Sequence, residues 1–82
     1  MINPAQIRAA RSWLLMDQET LSELSGVSTR TIARFENGET VPQDRTLRDL
    51  RKVIEDQGLE FLFDGSEGVG IRKKPGNQRG IE

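Results

Sequence analysis

Between Gly26 and Gly38 the chain carries Ser28-Thr29-Arg30-Thr31 and, one helical turn after Arg30, Arg34. Serine and threonine hydroxyls donate and accept hydrogen bonds, and a threonine methyl can pack on the methyl of thymine. An arginine guanidinium is a rigid fork of donors that fits a phosphate or the two major-groove acceptors of guanine. At the start of a short helix these residue types suit contact with a nucleic-acid duplex. They suit no covalent chemistry. The chain has no histidine and no cysteine, which removes the commonest general base, the thiol nucleophile and the usual zinc ligands. Its acidic residues lack the spacing of a metal loop, and no glycine-rich loop ends in Lys-Ser/Thr. The reading is therefore no enzyme, no cofactor and no metal.

Those side chains need elements to hold them. Asn3-Pro4-Ala5-Gln6 reads as a helix start, with Asn3 as cap, Pro4 in the first helical position and Gln6 closing a capping box. Ile7, Ala10 and Leu14 then share one face, flanked by Arg8 and Arg11, and the first helix is predicted over residues 4 to 15. Asp17 caps a second, short helix over 18 to 25, with Leu21 and Leu24 as its apolar face and Gly26 as its stop. Gln18 is exposed at its start. Val27 is an apolar residue in the turn, and Ser28 caps a third helix. There Ile32 and Phe35 point inward while Arg30 and Arg34 share a polar face, and Asn37-Gly38 ends it. Asp44 reads as the cap of a fourth helix over 45 to 57, where Leu47, Leu50, Val53 and Ile54 form the clearest apolar stripe in the chain. Arg45, Arg48, Arg51 and Lys52 alternate with acids as a solvated face, with Arg45 within reach of a phosphate.

After Gly58 the pattern shortens to a period of two. A β-hairpin is predicted over 59 to 73, with Asp64 to Gly68 as an irregular five-residue connection. Leu59, Phe61 and Phe63 lie on one face, Glu60 and Leu62 on the other. Trp13 is expected to pack against the fourth helix or this hairpin. A two-stranded hairpin is marginal alone, so it either lies on the helices or pairs its edge with a second subunit. The second arrangement predicts a homodimer through residues 59 to 73, with two recognition helices on one side. Residues 1 to 58 thus read as one unit, 59 to 74 as a hairpin extension and 75 to 82 as a flexible basic tail.

The formal charge is −1 over 82 residues, but residues 1 to 71 hold eight basic and twelve acidic side chains, whereas Arg72, Lys73, Lys74 and Arg79 lie close to the end. A nucleic-acid contact would then rest on locally placed arginines and helix N-termini, not on a bulk positive field. The basic end is either a solubilising tail or a grip on phosphate or the minor groove. Met1-Ile2-Asn3-Pro4 has none of the features of a signal peptide, and no apolar run approaches the ~20 residues of a membrane span. A cytoplasmic protein with no membrane contact is expected.

The stretch Gln18-Glu19-Thr20-Leu21-Ser22-Glu23-Leu24-Ser25-Gly26-Val27-Ser28-Thr29-Arg30-Thr31-Ile32-Ala33-Arg34-Phe35-Glu36-Asn37-Gly38 resembles the helix-turn-helix core of the Cro/C1-type family, also called xenobiotic-response-element (XRE) regulators. The likeness covers residues 4 to 57. It implies a mainly α fold, a four-helix lambda-repressor-like helix-turn-helix domain, here followed by the C-terminal β-hairpin. It implies sequence-specific binding of double-stranded DNA by a small dimeric repressor or autoregulator. By position, Thr29, Arg30 and Arg34 match base-reading residues, while Gln18, Ser28, Thr31 and Asn37 match residues that cap or meet the DNA backbone. Arg11 and Glu36 match an ion pair that ties the first helix to the end of the third. Ser22 stands where the family usually has alanine, and its hydroxyl is expected to bond the carbonyl four residues back. The family's frequent fifth helix is replaced by the hairpin. Two competing readings are an antitoxin-like DNA-binding protein that also holds a protein partner, and an interaction module that has lost DNA binding.

Overall fold

The computed structural model describes residues 1–75, which form α1 (Pro4–Leu14), α2 (Gln18–Ser25), α3 (Thr29–Glu36), α4 (Asp44–Asp56), β1 (Leu59–Asp64) and β2 (Glu67–Lys73). Three of these helices start on a side chain that takes up a free amide. Asn3 accepts from the Gln6 amide while the Gln6 side chain accepts from the Asn3 amide, a complete capping box. Asp17 accepts from Thr20, and Ser28 from Thr31. The fourth start differs from expectation. Gln43 is the cap residue of α4 and makes no side-chain cap bond. Asp44 is instead the first helical residue, where its charge meets the positive end of the helix dipole.

Ile7 and Ala10 of α1, Leu21 of α2, Ile32 and Phe35 of α3, and Leu47, Leu50, Val53 and Ile54 of α4 meet in one core, joined by Ile2 and Val27. Leu59 and Phe61 of β1 close it from the hairpin side, and Phe63 and Ile71 pack on it half-buried. Two expected core residues lie outside. Leu24 is 53 % exposed and Trp13 is 55 % exposed. α2 has only two turns, and its inward stripe is Leu21 alone; α1 turns Ile7 and Ala10 inward and Trp13 away from them.

The hairpin is tighter than predicted. Asp64 pairs with Glu67, so the connection is the two residues Gly65-Ser66, with Gly65 at φ +62°. A positive φ at the first of two central residues follows the right-handed twist of the strands. Leu62 pairs with Gly70 and Phe63 with Gly68. Val69 is therefore the extra residue of a β-bulge, which explains why it is exposed rather than covered. Gln6 reaches the bulge from α1: its Nε2 donates to the Leu62 carbonyl at 2.9 Å and the Gly70 carbonyl at 3.0 Å. Asn3 Nδ2 donates to the Gly68 carbonyl at 2.9 Å. One residue pair thus starts α1 and fastens β2 to it. β1 packs on α4, with the Arg51 guanidinium over the rings of Phe61 and Phe63 at 5.9 and 5.1 Å. Arg51 is therefore not simply part of a solvated face. Of the expected basic tail, Arg72, Lys73 and Lys74 are described and exposed, while Arg79 lies outside the described residues. Among the described residues no helix is long and apolar enough to cross a membrane.

Candidate nucleic-acid interface

The bend between α2 and α3 decides where the polar face of α3 points. Gly26 sits at φ +77°, a conformation that costs other residues energy, and its amide bonds the Ser22 carbonyl at 2.9 Å. Ser25 Oγ donates to the Leu21 carbonyl at 2.7 Å and accepts from the Val27 amide at 3.1 Å. The back-bond expected of Ser22 is thus made by Ser25, and Ser22 shows no side-chain hydrogen bond among the described residues. Val27 is buried and pins the turn to the core.

Beyond that turn α3 divides sharply. Ile32, Phe35 and Glu36 are buried. Ser28, Thr29, Arg30 and Arg34 are exposed and Thr31 is half-buried. Ser28 Oγ also donates to Thr31 Oγ1 at 3.0 Å, so both hydroxyls are held together at the N-terminus of α3. Thr29 and Arg30 make no side-chain bond among the described residues. Arg34 has a loose pairing with Glu39, 3.6 Å between Nε and Oε1, with both side chains about half exposed. A surface pair of that kind is worth little and yields easily to a phosphate. Asn37 caps the end of α3 and bonds Glu39 at 3.4 Å. Arg45 is exposed in the first turn of α4, without a partner among the described residues. Of the expected site residues, α3 and its two ends therefore carry six, and Gln18 and Arg45 stand on α2 and α4.

Behind this face lies a polar anchor. Arg11 grips Glu36 with two parallel bonds, Nε to Oε2 at 2.7 Å and Nη2 to Oε1 at 2.6 Å, and its third nitrogen donates to the Met16 carbonyl at 2.9 Å. The Gln18 side chain donates to Glu36 Oε1 at 3.1 Å. It is thus turned toward the anchor, not held out to solvent as the sequence reading had it. Arg8, read only as a flanking residue, donates to the Glu36 backbone carbonyl. Burial pushes the Glu36 carboxyl up, but the hydrogen bonds from Arg11 and Gln18 and the charges of Arg11 and Arg8 outweigh it and hold the group below its usual range. The same hydrogen bond raises Arg11 further. α1 thereby clamps the C-terminal end of α3 while Gly26 and Ser28 set its start. Arg8 and Gln6 were missed as ties because their partners are backbone carbonyls far along the chain, which no side-chain pattern reveals.

This arrangement presents hydroxyls and guanidinium groups on the exposed side of one helix, groups suited to hydrogen bonding with phosphates and base edges. No group of three or more potential metal ligands occurs among the described residues. A family model described as helix-turn-helix matches residues 7–55. No curated protein matches the chain.

Proposed function

This chain belongs to the Cro/C1-type (XRE) helix-turn-helix family of DNA-binding transcription regulators, and from that premise we propose that it binds double-stranded DNA sequence-specifically as a homodimeric repressor or autoregulator. The observation that carries the reading is the contrast within α3. Its inner side is anchored by Ile32, Phe35 and the Arg11–Glu36 pair, while Thr29 and Arg30 are exposed and unspent. A helix so held enters the major groove without first breaking its own contacts. Thr29, Arg30 and Arg34 read base edges; Ser28, Thr31, Asn37 and Arg45 meet phosphates. Gln18 bridges the anchor and the backbone. Arg45 supports the phosphate role because a cation in the first turn of a helix is opposed by the dipole and gains from an anion placed there. Two half-sites about 34 Å apart would be covered by one dimer, and occupancy would block polymerase.

Selection from a random DNA library, followed by binding to the selected site and to single-base mismatches, tests this. Arg30→Ala is expected to cost roughly 1–3 kcal/mol and to relax preference at one base pair. An equal loss on matched and mismatched sites removes Arg30 from base reading. The acid excess of residues 1 to 71 favours the second reading, a module that binds protein in place of DNA. A salt titration separates the two: DNA affinity must fall steeply as salt rises, and absence of any selected site would leave the protein-binding reading.

A further inference from the structure

The carbonyls of the last turn of a helix need donors from beyond it. At the end of α3 the amides of Asn37, Gly38 and Glu39 take the carbonyls of Ala33, Phe35 and Arg34. The carbonyl of Glu36 is taken by Arg8 of α1, through Nη1. A guanidinium carries five N–H donors. Arg8 uses one of them here, makes no other side-chain bond among the described residues, and is exposed. Arg11, one turn further along α1, is the contrast. Each of its three nitrogens is committed, two to the Glu36 carboxylate and one to the Met16 carbonyl. That carboxylate also matches the Arg11 charge, so the charge of Arg8 is surplus at this end of α3.

Glu36 is thus the meeting point of donors from three elements. Its carboxylate holds Gln18 Nε2 of α2 at 3.1 Å, and its carbonyl holds Arg8 of α1. The second hydrogen of Gln18 Nε2 has no acceptor among the described residues. Asn37 follows Glu36 in the chain and is exposed.

We propose that Arg8 is a phosphate-binding residue, which grips the DNA backbone at the C-terminal end of α3 beside Gln18 and Asn37. The proposal rests on the DNA-binding reading and adds to it a contact from α1. Guanidinium groups take phosphates through two parallel N–H bonds. With one Nη1 hydrogen on the Glu36 carbonyl, the Nε–Nη2 edge of Arg8 remains whole for such a pair. The bond to the carbonyl already fixes the tip of a long side chain, so less freedom is lost when a phosphate arrives. Local cations matter here because residues 1 to 71 hold eight basic and twelve acidic side chains.

The competing account is that Arg8 ties the end of α3 and does nothing more. Salt dependence separates the two. Each phosphate neutralised adds about 0.9 to the slope of log affinity against log salt, whereas a tie within the protein adds nothing. Non-specific binding consists of phosphate contacts, so a random-sequence duplex of about 30 base pairs is the probe and no operator is needed. Its affinity is to be titrated from about 50 to about 200 mM salt, at a temperature where melting curves show every variant folded.

Arg8→Ala is expected to bind about three- to tenfold more weakly, with a slope shallower by about 0.9 for each copy bound. Arg8→Lys keeps the charge without the fork and is expected to recover the slope and part of the affinity. Lys52→Ala removes a cation paired with Asp56 on α4 and is expected to leave the slope unchanged. An unmoved slope in Arg8→Ala, or an equal drop in Lys52→Ala, overturns the proposal and leaves DNA binding standing. A wild-type chain without salt-dependent affinity for the duplex removes the DNA reading itself, and the role of Arg8 with it.

Discussion

Glu36 shows how much one side chain can be asked to hold. It is 2 % exposed, and its carboxylate takes bonds from Arg11 and Gln18 while Arg8 takes its carbonyl. Because the folded state holds this group below the usual glutamate value, its contribution to stability is fully present above that value, ~4.3. It is lost as pH falls through the lower folded value. Asp17, lowered by the backbone amide of Thr20, acts in the same direction. Thermal melts should therefore be flat from neutral pH to about 5 and decline below about 4. Glu36→Gln should flatten that decline in part, because Asp17 remains, and should cost about 2–3 kcal/mol at neutral pH by stranding Arg11, less than a fully buried pair because Arg11 is partly exposed. An undiminished acid decline in the variant would remove Glu36 as its source. Trp13 teaches the opposite lesson. A large apolar residue was expected inside, yet it is 55 % exposed, and single apolar residues do occur on surfaces.

The turns between elements hold both strain and fit. Leu15 follows α1 in the left-handed conformation at φ +54° and is 94 % exposed. A branched side chain there costs about 1–2 kcal/mol relative to glycine. Leu15→Gly should accordingly raise the urea midpoint by the equivalent of about 1 kcal/mol; a lower midpoint would mean that the leucine contributes contacts outweighing its strain. At the bulge the constraint is steric. A Cβ on Gly68 would lie 2.0 Å from Gln6 Oε1, so Gly68→Ala must displace the side chain that closes the capping box and bonds two hairpin carbonyls. A loss of about 1–3 kcal/mol is expected, and a Gln6→Ala background should make most of it vanish in a double-mutant cycle. Read as sequence, Gly68 looked like turn material. It is a strand residue, and its partner is 62 positions away.

At the scale of the whole molecule the hairpin is the outer wall of the core. Leu59 and Phe61 are nearly fully buried, and Arg51 of α4 lies over Phe61 and Phe63. Phe61→Ala should cost about 3–5 kcal/mol. Set against roughly 4–12 kcal/mol for a chain of this length, that is a large share of the total. Thermal and urea melts should show a much lower midpoint, and α3 should lose its protection together with the hairpin in hydrogen exchange. Early loss of the hairpin while α3 stays protected would show that the wall is not part of the same cooperative unit.

Where the physics is local, the sequence alone determined the outcome. Asn3, Asp17 and Ser28 cap three helices, Gly26 and Asn37-Gly38 end two of them, and the stripe Leu47, Leu50, Val53 and Ile54 faces inward, because capping and periodicity act within a few residues. The polar start of α3 and the strand-like run after Gly58 were legible for the same reason. Tertiary structure decided what depends on distant partners: Gln18 turned to Glu36, Gln6 and Asn3 fastened to β2, Arg51 laid over two rings, Val69 and Trp13 left outside. Only folding brings α1 and β2 side by side, so only folding could make a hollow between them.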